Sequence, residues 1–221
     1  MSSVEPSYRV QPSDEKLSSA IVSDALDLAG LRNQTISRLL PVTDGRFIFG
    51  RARTVQYVPT TRDDPSGPYD DAIAFIDSLQ PGHIAVSASG HNLVTAYWGE
   101  LFSAAAKGRG AVGAITDGNI RDSVKIQALD FPVYSASRRP TDFRARMRVV
   151  AMHEPVIIEG VRIEDGDLIA ADDDGIAVVP KAVEARVLDA ARARAAVESE
   201  ILVELLAGAS LRSVWDRYKV L

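Results

Sequence analysis

The stretch from Glu100 to Tyr134 constrains this chain more than any other. An alanine-rich helical run, Glu100 to Gly108, ends in a Gly-x-Gly stop, and Ala111 to Thr116 is an apolar run of strand length. Arg121-Asp122 then opens a second helix reaching Leu129, and Pro132 to Tyr134 is the next strand. Helix, strand, helix, strand with short links requires parallel strands joined by right-handed crossovers. Within this stretch Asp117-Gly118 reads as a turn.

The flanks carry weaker signals of the same kind. Leu17 to Leu31 has apolar residues at helical spacing, with Gly30 placed to end the helix. Arg46 to Val58 reads as a strand with a bend at Gly50, and Pro59 to Tyr69 as a surface loop. Asp70 to Leu79 is a short helix closed by Pro81-Gly82, and Ile84 to Ser87 a strand leading to a turn at Gly90. Beyond the arginine-rich loop, strands are expected at Met147 to His153, Val156 to Ile158, Leu168 to Ala171 and Ile176 to Val179. Turns at Glu159-Gly160, Asp165-Gly166-Asp167 and Asp172 to Gly175 separate them. The acidic run Asp172 to Asp174 is too short for a calcium loop and lacks its terminal Glu. Lys181 to Trp215 is a long helix interrupted near Gly208. The expectation is a mixed α/β fold in one domain, 17–221, preceded by a flexible segment, 1–16.

Composition removes whole classes of chemistry. With no cysteine in 221 residues, thiol nucleophiles, disulfides, iron–sulfur clusters and thiolate zinc sites are excluded. The three histidines, His83, His91 and His153, are too scattered for a His-rich metal site, and His91 reads as a solvated loop residue. Net charge is −5, so the cluster of Arg138, Arg139, Arg144, Arg146 and Arg148 reads as a solvated face rather than a nucleic-acid patch. No signal-peptide core and no run of eighteen apolar residues occurs, so neither membrane nor export is expected and the cytoplasm is the default. A glycine-rich strand–turn–helix with a downstream acid, which S-adenosylmethionine would require, is also absent.

Carboxylates, arginines and helix N-termini remain. Gly99 precedes the helix that starts at Glu100, so the free amides of Leu101 and Phe102 can receive a small carboxylate, and Gly99 lets it approach. Twenty residues separate Glu100 from Arg121-Asp122, filled by one helix, a turn and one strand. Successive loops at one edge of a parallel sheet meet, so Glu100 and Asp122 can face a single cleft. Such a pair suits a hard cation, Mg²⁺ or Mn²⁺, completed by water and substrate oxygens. Arg121 adds a planar, permanent cation for a carboxylate or a developing enolate. Each residue also has a plainer reading: Glu100 as a first-turn acid complementing its helix dipole, Arg121-Asp122 as an ion pair with Asp122 as N-cap.

Gly99-Glu100-Leu101 followed by Arg121-Asp122 resembles the acid-x20-Arg-Asp signature of the 4-hydroxy-4-methyl-2-oxoglutarate/4-carboxy-4-hydroxy-2-oxoadipate aldolases, which share a fold with the RraA-like regulators of ribonuclease E. Further similarity lies in Ser23 to Asp27, Gly50 to Val55, Asp117 to Asp122, Phe131-Pro132-Val133, Asp165-Gly166-Asp167, Asp174-Gly175 and Val178-Val179-Pro180. The resemblance implies an RraA-like swivelling β/β/α-type α/β domain with a mixed central sheet and a long C-terminal helix. It implies a class II pyruvate aldolase that also decarboxylates oxaloacetate, assembled as trimers or dimers of trimers. Asp122 would ligate Mg²⁺ or Mn²⁺ directly, with Glu100, here Glu where some aldolases have Asp, acting through water. Glu198 from a neighbouring subunit, with Glu200 as the alternative match, would also act through water. Arg121 would stabilise the pyruvate enolate, and the Leu101 and Phe102 amides would hold its carboxylate. The alternative it implies is a non-enzymatic regulator that binds a ribonuclease.

Overall fold

A computed structural model of the chain describes residues 14, 16–43, 46–61, 67 and 69–220. Most of the segment expected to be flexible, 1–13 and 15, lies outside the described residues, as do 62–66 and 68 of the expected loop.

Helix α1 (Ser19–Leu28) starts where the Ser18 hydroxyl accepts the Ile21 N–H at 3.2 Å, and Gly30 follows its end at φ +83°. Two-residue strands β1 (Thr35–Ile36) and β2 (Leu40–Pro41) lead to the long β3 (Ile48–Pro59). Helix α2 (Asp70–Asp77), β4 (His83–Ala88), β5 (Ala96–Trp98), α3 (Glu100–Gly108), β6 (Gly113–Ile120), α4 (Ser123–Ala128) and β7 (Val133–Arg138) follow. Then come β8 (Met147–Met152), β9 (Val156–Ile158), β10 (Val161–Ile163), β11 (Leu168–Asp172) and β12 (Gly175–Val179). A 3-10 turn over Lys181–Val183 precedes α5 (Glu184–Leu206), and α6 (Leu211–Tyr218) follows the break at Gly208.

The main sheet runs β1-β12-β11-β3-β4-β6-β7-β2, with β5 added beside β6 and β8 beside β3. Its centre is parallel, as the alternation of helices and strands requires: β3 with β4, β4 with β6, β6 with β7. The hairpin strands β11 and β12 join antiparallel, which makes the sheet mixed. Strand β4 is buried at every residue, and its side chains divide between two cores. Ala85 joins Phe75, Ile76 and Ala106 beneath α2 and α3, while Ile84 and Val86 join Val156, Ile158, Val161 and Ile163 of the β9–β10 hairpin. A third core packs Val22, Ala25 and Leu26 of α1 against Val187, Leu188 and Ala191 of α5 over β11 and β12. No helix among the described residues is long and apolar enough to cross a membrane.

Four elements were not anticipated: β1, β2, β5 and β10 have only two or three residues, too few to display an alternation. One expectation is corrected outright. Asp117-Gly118 is not a turn; both residues lie buried inside β6, whose pairing with β7 shifts register between Thr116 and Asn119. The pair interrupts the ladder as a bulge rather than reversing the chain. Gly118 is needed for space, because a Cβ there would lie 2.3 Å from Tyr97 Cδ2.

His83, at the start of β4, is buried, and its Nδ1 accepts the Gln80 N–H at 3.0 Å. Burial first, then the charge of Arg53, lowers its pKa from 6.5 to about 4. Between those values the unfolded chain binds a proton that the folded chain does not, so stability falls as pH drops through that window. The expected loss is roughly 3 kcal/mol at its acid end. Urea unfolding at pH 7, 6 and 5 should show a slope that flattens in His83→Gln; equal slopes would refute the assignment.

Candidate active site

Strands β5 and β6 run parallel, with Trp98 opposite Ile120, and the Arg121 N–H donates to the Trp98 carbonyl at 2.9 Å. Gly99-Glu100 and Arg121-Asp122, the residues that follow the two strands, therefore emerge at one sheet edge. Ala96, Trp98, Gly99, Glu100, Leu101, Phe102, Arg121, Asp122, Lys125, Asp142 and Phe143 line a cleft of about 550 Å³ there, with Tyr69 and Ile73 closing one side.

Gly99 is the N-cap of α3. Its carbonyl accepts the Ser103 N–H and hydroxyl, both at 3.0 Å, and the Trp98 indole donates to that hydroxyl at 2.8 Å. No side chain caps the helix, so its first-turn amides, including those of Leu101 and Phe102, face the cleft end without a capping partner. A Cβ on Gly99 would lie 3.1 Å from Asp122 Oδ2 and 3.2 Å from Arg121 Cγ, tight enough to push both side chains. Phe102 packs edge-on against Trp98, ring centroids 5.7 Å apart, while Leu101 projects into solvent.

Asp122 occupies the N-cap position of α4 at φ 59° and ψ 32°, and it does not cap. A left-handed non-glycine residue costs about 1–2 kcal/mol, less for Asp, and a capping carboxylate returns part of that cost as a hydrogen bond. Here none is made: among the described residues the Asp122 carboxylate accepts no hydrogen bond, and its nearest cation is Arg121 Nε at 3.8 Å. The plainer reading of Asp122 as a cap is thereby corrected. Strain without a structural return is a mark of functional positions.

Arg121 is partly exposed, and its Nη1 lies 3.2 Å from Asp142 Oδ2. Glu100 Oε2 holds Lys125 Nζ at 2.8 Å, and this bond together with the Glu100 charge raises the pKa of Lys125. Asp142, Lys125 and Tyr69 were not singled out in the sequence. Nothing in their spacing marks them, although Lys125 is one helical turn past Arg121.

The residues fit a hard divalent cation. Asp122 presents a carboxylate that accepts no hydrogen bond among the described residues and has Arg121 Nε at 3.8 Å, and the Glu100–Lys125 pair is exposed, of a kind worth at most about 1 kcal/mol, so it yields readily. Among the described residues no group of three or more His, Asp or Glu side chains gathers to cage a metal.

One other expected residue lies elsewhere. Glu198, on α5, is held by Arg194 Nε at 2.7 Å and lines a separate hollow with Lys16, Ile21 and Leu202. A single chain does not bring it to the cleft. His91 is exposed and sits outside the cleft lining; its N–H donates to Asp117 Oδ2 at 2.7 Å. Asp117 Oδ1 accepts the Ser89 N–H at 2.6 Å and the Ser89 hydroxyl at 2.8 Å, so this buried acid fastens the loop after β4.

Known proteins similar to this chain match it over most of its length. DlpA of Legionella pneumophila is 28% identical over 200 residues, 90% of this chain, although the chain spans only 32% of DlpA. A Halalkalibacterium halodurans protein named "Putative 4-hydroxy-4-methyl-2-oxoglutarate aldolase" is 33% identical over 177 residues, 79% of this chain and 78% of that protein. The crystal structure of Streptomyces coelicolor RraAS2, described as an unusual member of the RNase ES inhibitor RraA protein family, superposes with a TM-score of 0.79. It is 27% identical, covering 89% of this chain and 100% of RraAS2. The RraA-like family model, described as Aldolase/RraA, matches residues 19–178, and the chain belongs to that family.

Proposed function

We propose that this protein is a carbon–carbon lyase that splits a 4-hydroxy-2-oxo dicarboxylic acid, such as 4-hydroxy-4-methyl-2-oxoglutarate, into pyruvate and a second 2-oxo acid, and that it also decarboxylates oxaloacetate. The observation that carries this reading is the Asp122 carboxylate, set on a left-handed backbone and capping nothing, beside the Arg121 guanidinium at the uncapped N-terminus of α3. An anion site, a permanent cation and a free hard ligand within one cleft are what a pyruvyl group and its enolate demand.

The amides of Leu101 and Phe102 bind the carboxylate next to the keto group. The C4 hydroxyl passes its proton to a water acting as base and becomes the carbonyl of the departing 2-oxo acid, while the C3–C4 bond breaks and its electron pair passes into a pyruvate enolate. Arg121 faces the developing enolate oxygen, and protonation at C3 releases pyruvate. The rings of Trp98, Phe102 and Phe143 give the cleft an apolar lining. A divalent cation, Mg²⁺ or Mn²⁺, would supply Lewis-acid stabilisation of the same oxyanion. Asp122 would hold it directly, with Glu100, and Glu198 of the partner subunit in a trimer or dimer of trimers, acting through water.

The test is pyruvate release from a panel of 4-hydroxy-2-oxo acids and oxaloacetate with Mg²⁺ and with Mn²⁺. Turnover should vanish in excess EDTA and return with either metal. Silence across the panel, or full turnover in EDTA, refutes the reading. The structural match to RraAS2 favours one second reading, a regulator that binds a ribonuclease; ribonuclease capture by a protein that releases no pyruvate would establish it instead.

A further inference from the structure

Arg121 must present its guanidinium to one oxygen, yet it is a long side chain at a partly open cleft, and such a chain has considerable rotamer freedom to lose. We infer that Asp142 is a positioning residue for Arg121: it engages one end of the guanidinium and so aims the remaining N–H groups into the cleft. This inference rests on the aldolase reading above.

Three observations support it. Asp142 Oδ2 takes Arg121 Nη1 at 3.2 Å and the Tyr69 hydroxyl at 2.8 Å, so two chain segments converge on one oxygen. Its Oδ1 accepts the Arg144 N–H at 3.1 Å, which sets the plane of the carboxylate. The backbone beneath it is registered to the strand that carries Gly99: Ala96 bridges Asp142 in parallel, and the Thr141 carbonyl accepts the Ala96 N–H at 2.8 Å and the Thr95 hydroxyl at 3.0 Å. Strand β5 therefore locates both the anion-binding end of α3 and the carboxylate that orients Arg121. Partial burial pushes the Asp142 carboxyl up, but the bonds from Tyr69 and Arg144 and the charge of Arg121 outweigh it and hold the group below the usual carboxylate range.

The groups that face Asp142 are thus the Tyr69 hydroxyl, the Arg121 guanidinium and the backbone N–H groups of Phe143 and Arg144, and of these Arg121 is the one given the enolate oxygen in the proposed chemistry. Arg121 Nε is 3.8 Å from Asp122 Oδ2, so the two acids flank the fork at Nε and Nη1 and leave its Nη2 edge to the substrate.

The experiment is a double-mutant cycle on the full-length chain, with pyruvate release from oxaloacetate as the assay. Asp142→Ala should lower kcat about 10- to 100-fold with KM changed little, as expected of a misplaced catalytic group. Asp142→Asn, which keeps the shape, should fall in the same direction, and Asp142→Glu should recover part of the loss. In the Arg121→Ala background, Asp142→Ala should cost nothing further. Mn²⁺ affinity should be unchanged in Asp142→Asn. Wild-type kcat in Asp142→Asn, multiplicative losses in the double variant, or a large loss of Mn²⁺ affinity would each overturn the inference, the last making Asp142 a metal ligand. An inactive wild type refutes the aldolase reading itself, whereas an active wild type with indifferent Asp142 variants refutes this inference alone.

Discussion

Asp122→Asn is expected to abolish metal-dependent pyruvate release while leaving the fold intact. Asparagine is among the few residues that accept the left-handed backbone at φ 59°, so the turn into α4 survives. The carboxylate makes no hydrogen bond among the described residues, so its loss leaves no structural donor unpaired. The folded stability should therefore change by less than about 1 kcal/mol. Turnover should drop by at least about 10²-fold, because a neutral amide is a poor ligand for a hard cation and the oxyanion loses its main stabiliser. Raising Mg²⁺ or Mn²⁺ should restore part of the rate if weakened binding is the cause. A folded Asp122→Asn variant with wild-type turnover would remove the metal from the proposal.

Arg121→Ala is the second large effect, of about 10²–10³ in kcat, the usual cost of one oxyanion-stabilising donor. The two variants differ in a measurable way: Arg121→Ala should leave Mn²⁺ affinity near that of the wild type, whereas Asp122→Asn should not. Arg121→Lys should rescue little. An ammonium carries the charge but has no planar fork, so it cannot engage Asp142 and substrate along two edges at once. If lysine supports near-normal turnover, the charge alone matters and the geometry described for Asp142 is irrelevant.

Much of this site was legible before any coordinates. Glu100, Leu101, Phe102 and Arg121-Asp122 start the two helices of a helix–strand–helix rhythm, and all of them line one cleft, although the strand before Gly99, β5, was not anticipated. Helix α3 was legible to the residue because Gly99 and the Gly108 to Gly110 stop bracket it. The sequence was misleading at Asp117-Gly118, where the commonest meaning of the dipeptide is a turn. It was silent at Asp142, which lies twenty residues beyond Asp122 on a loop with no periodicity of its own. Glu198 stands apart in a single chain, so its proposed role belongs to assembly and not to the fold of one subunit.

The sequence by itself determined the order of the longer elements, the parallel centre of the sheet and the acid, arginine and aspartate at its edge. These are consequences of short-range rules: helical and strand periods, glycine stops and the handedness of crossovers. Only the tertiary structure decided that Asp122 does not cap its helix, that Asp117 fastens a loop from within a strand, and that Asp142 reaches Arg121. Each of those depends on where distant segments are brought by the pairing of β5, β6 and the loop after β7. A carboxylate has the same appearance in a sequence whether it caps a helix, fills a bulge or aims an arginine; the donors that packing places around it make the difference.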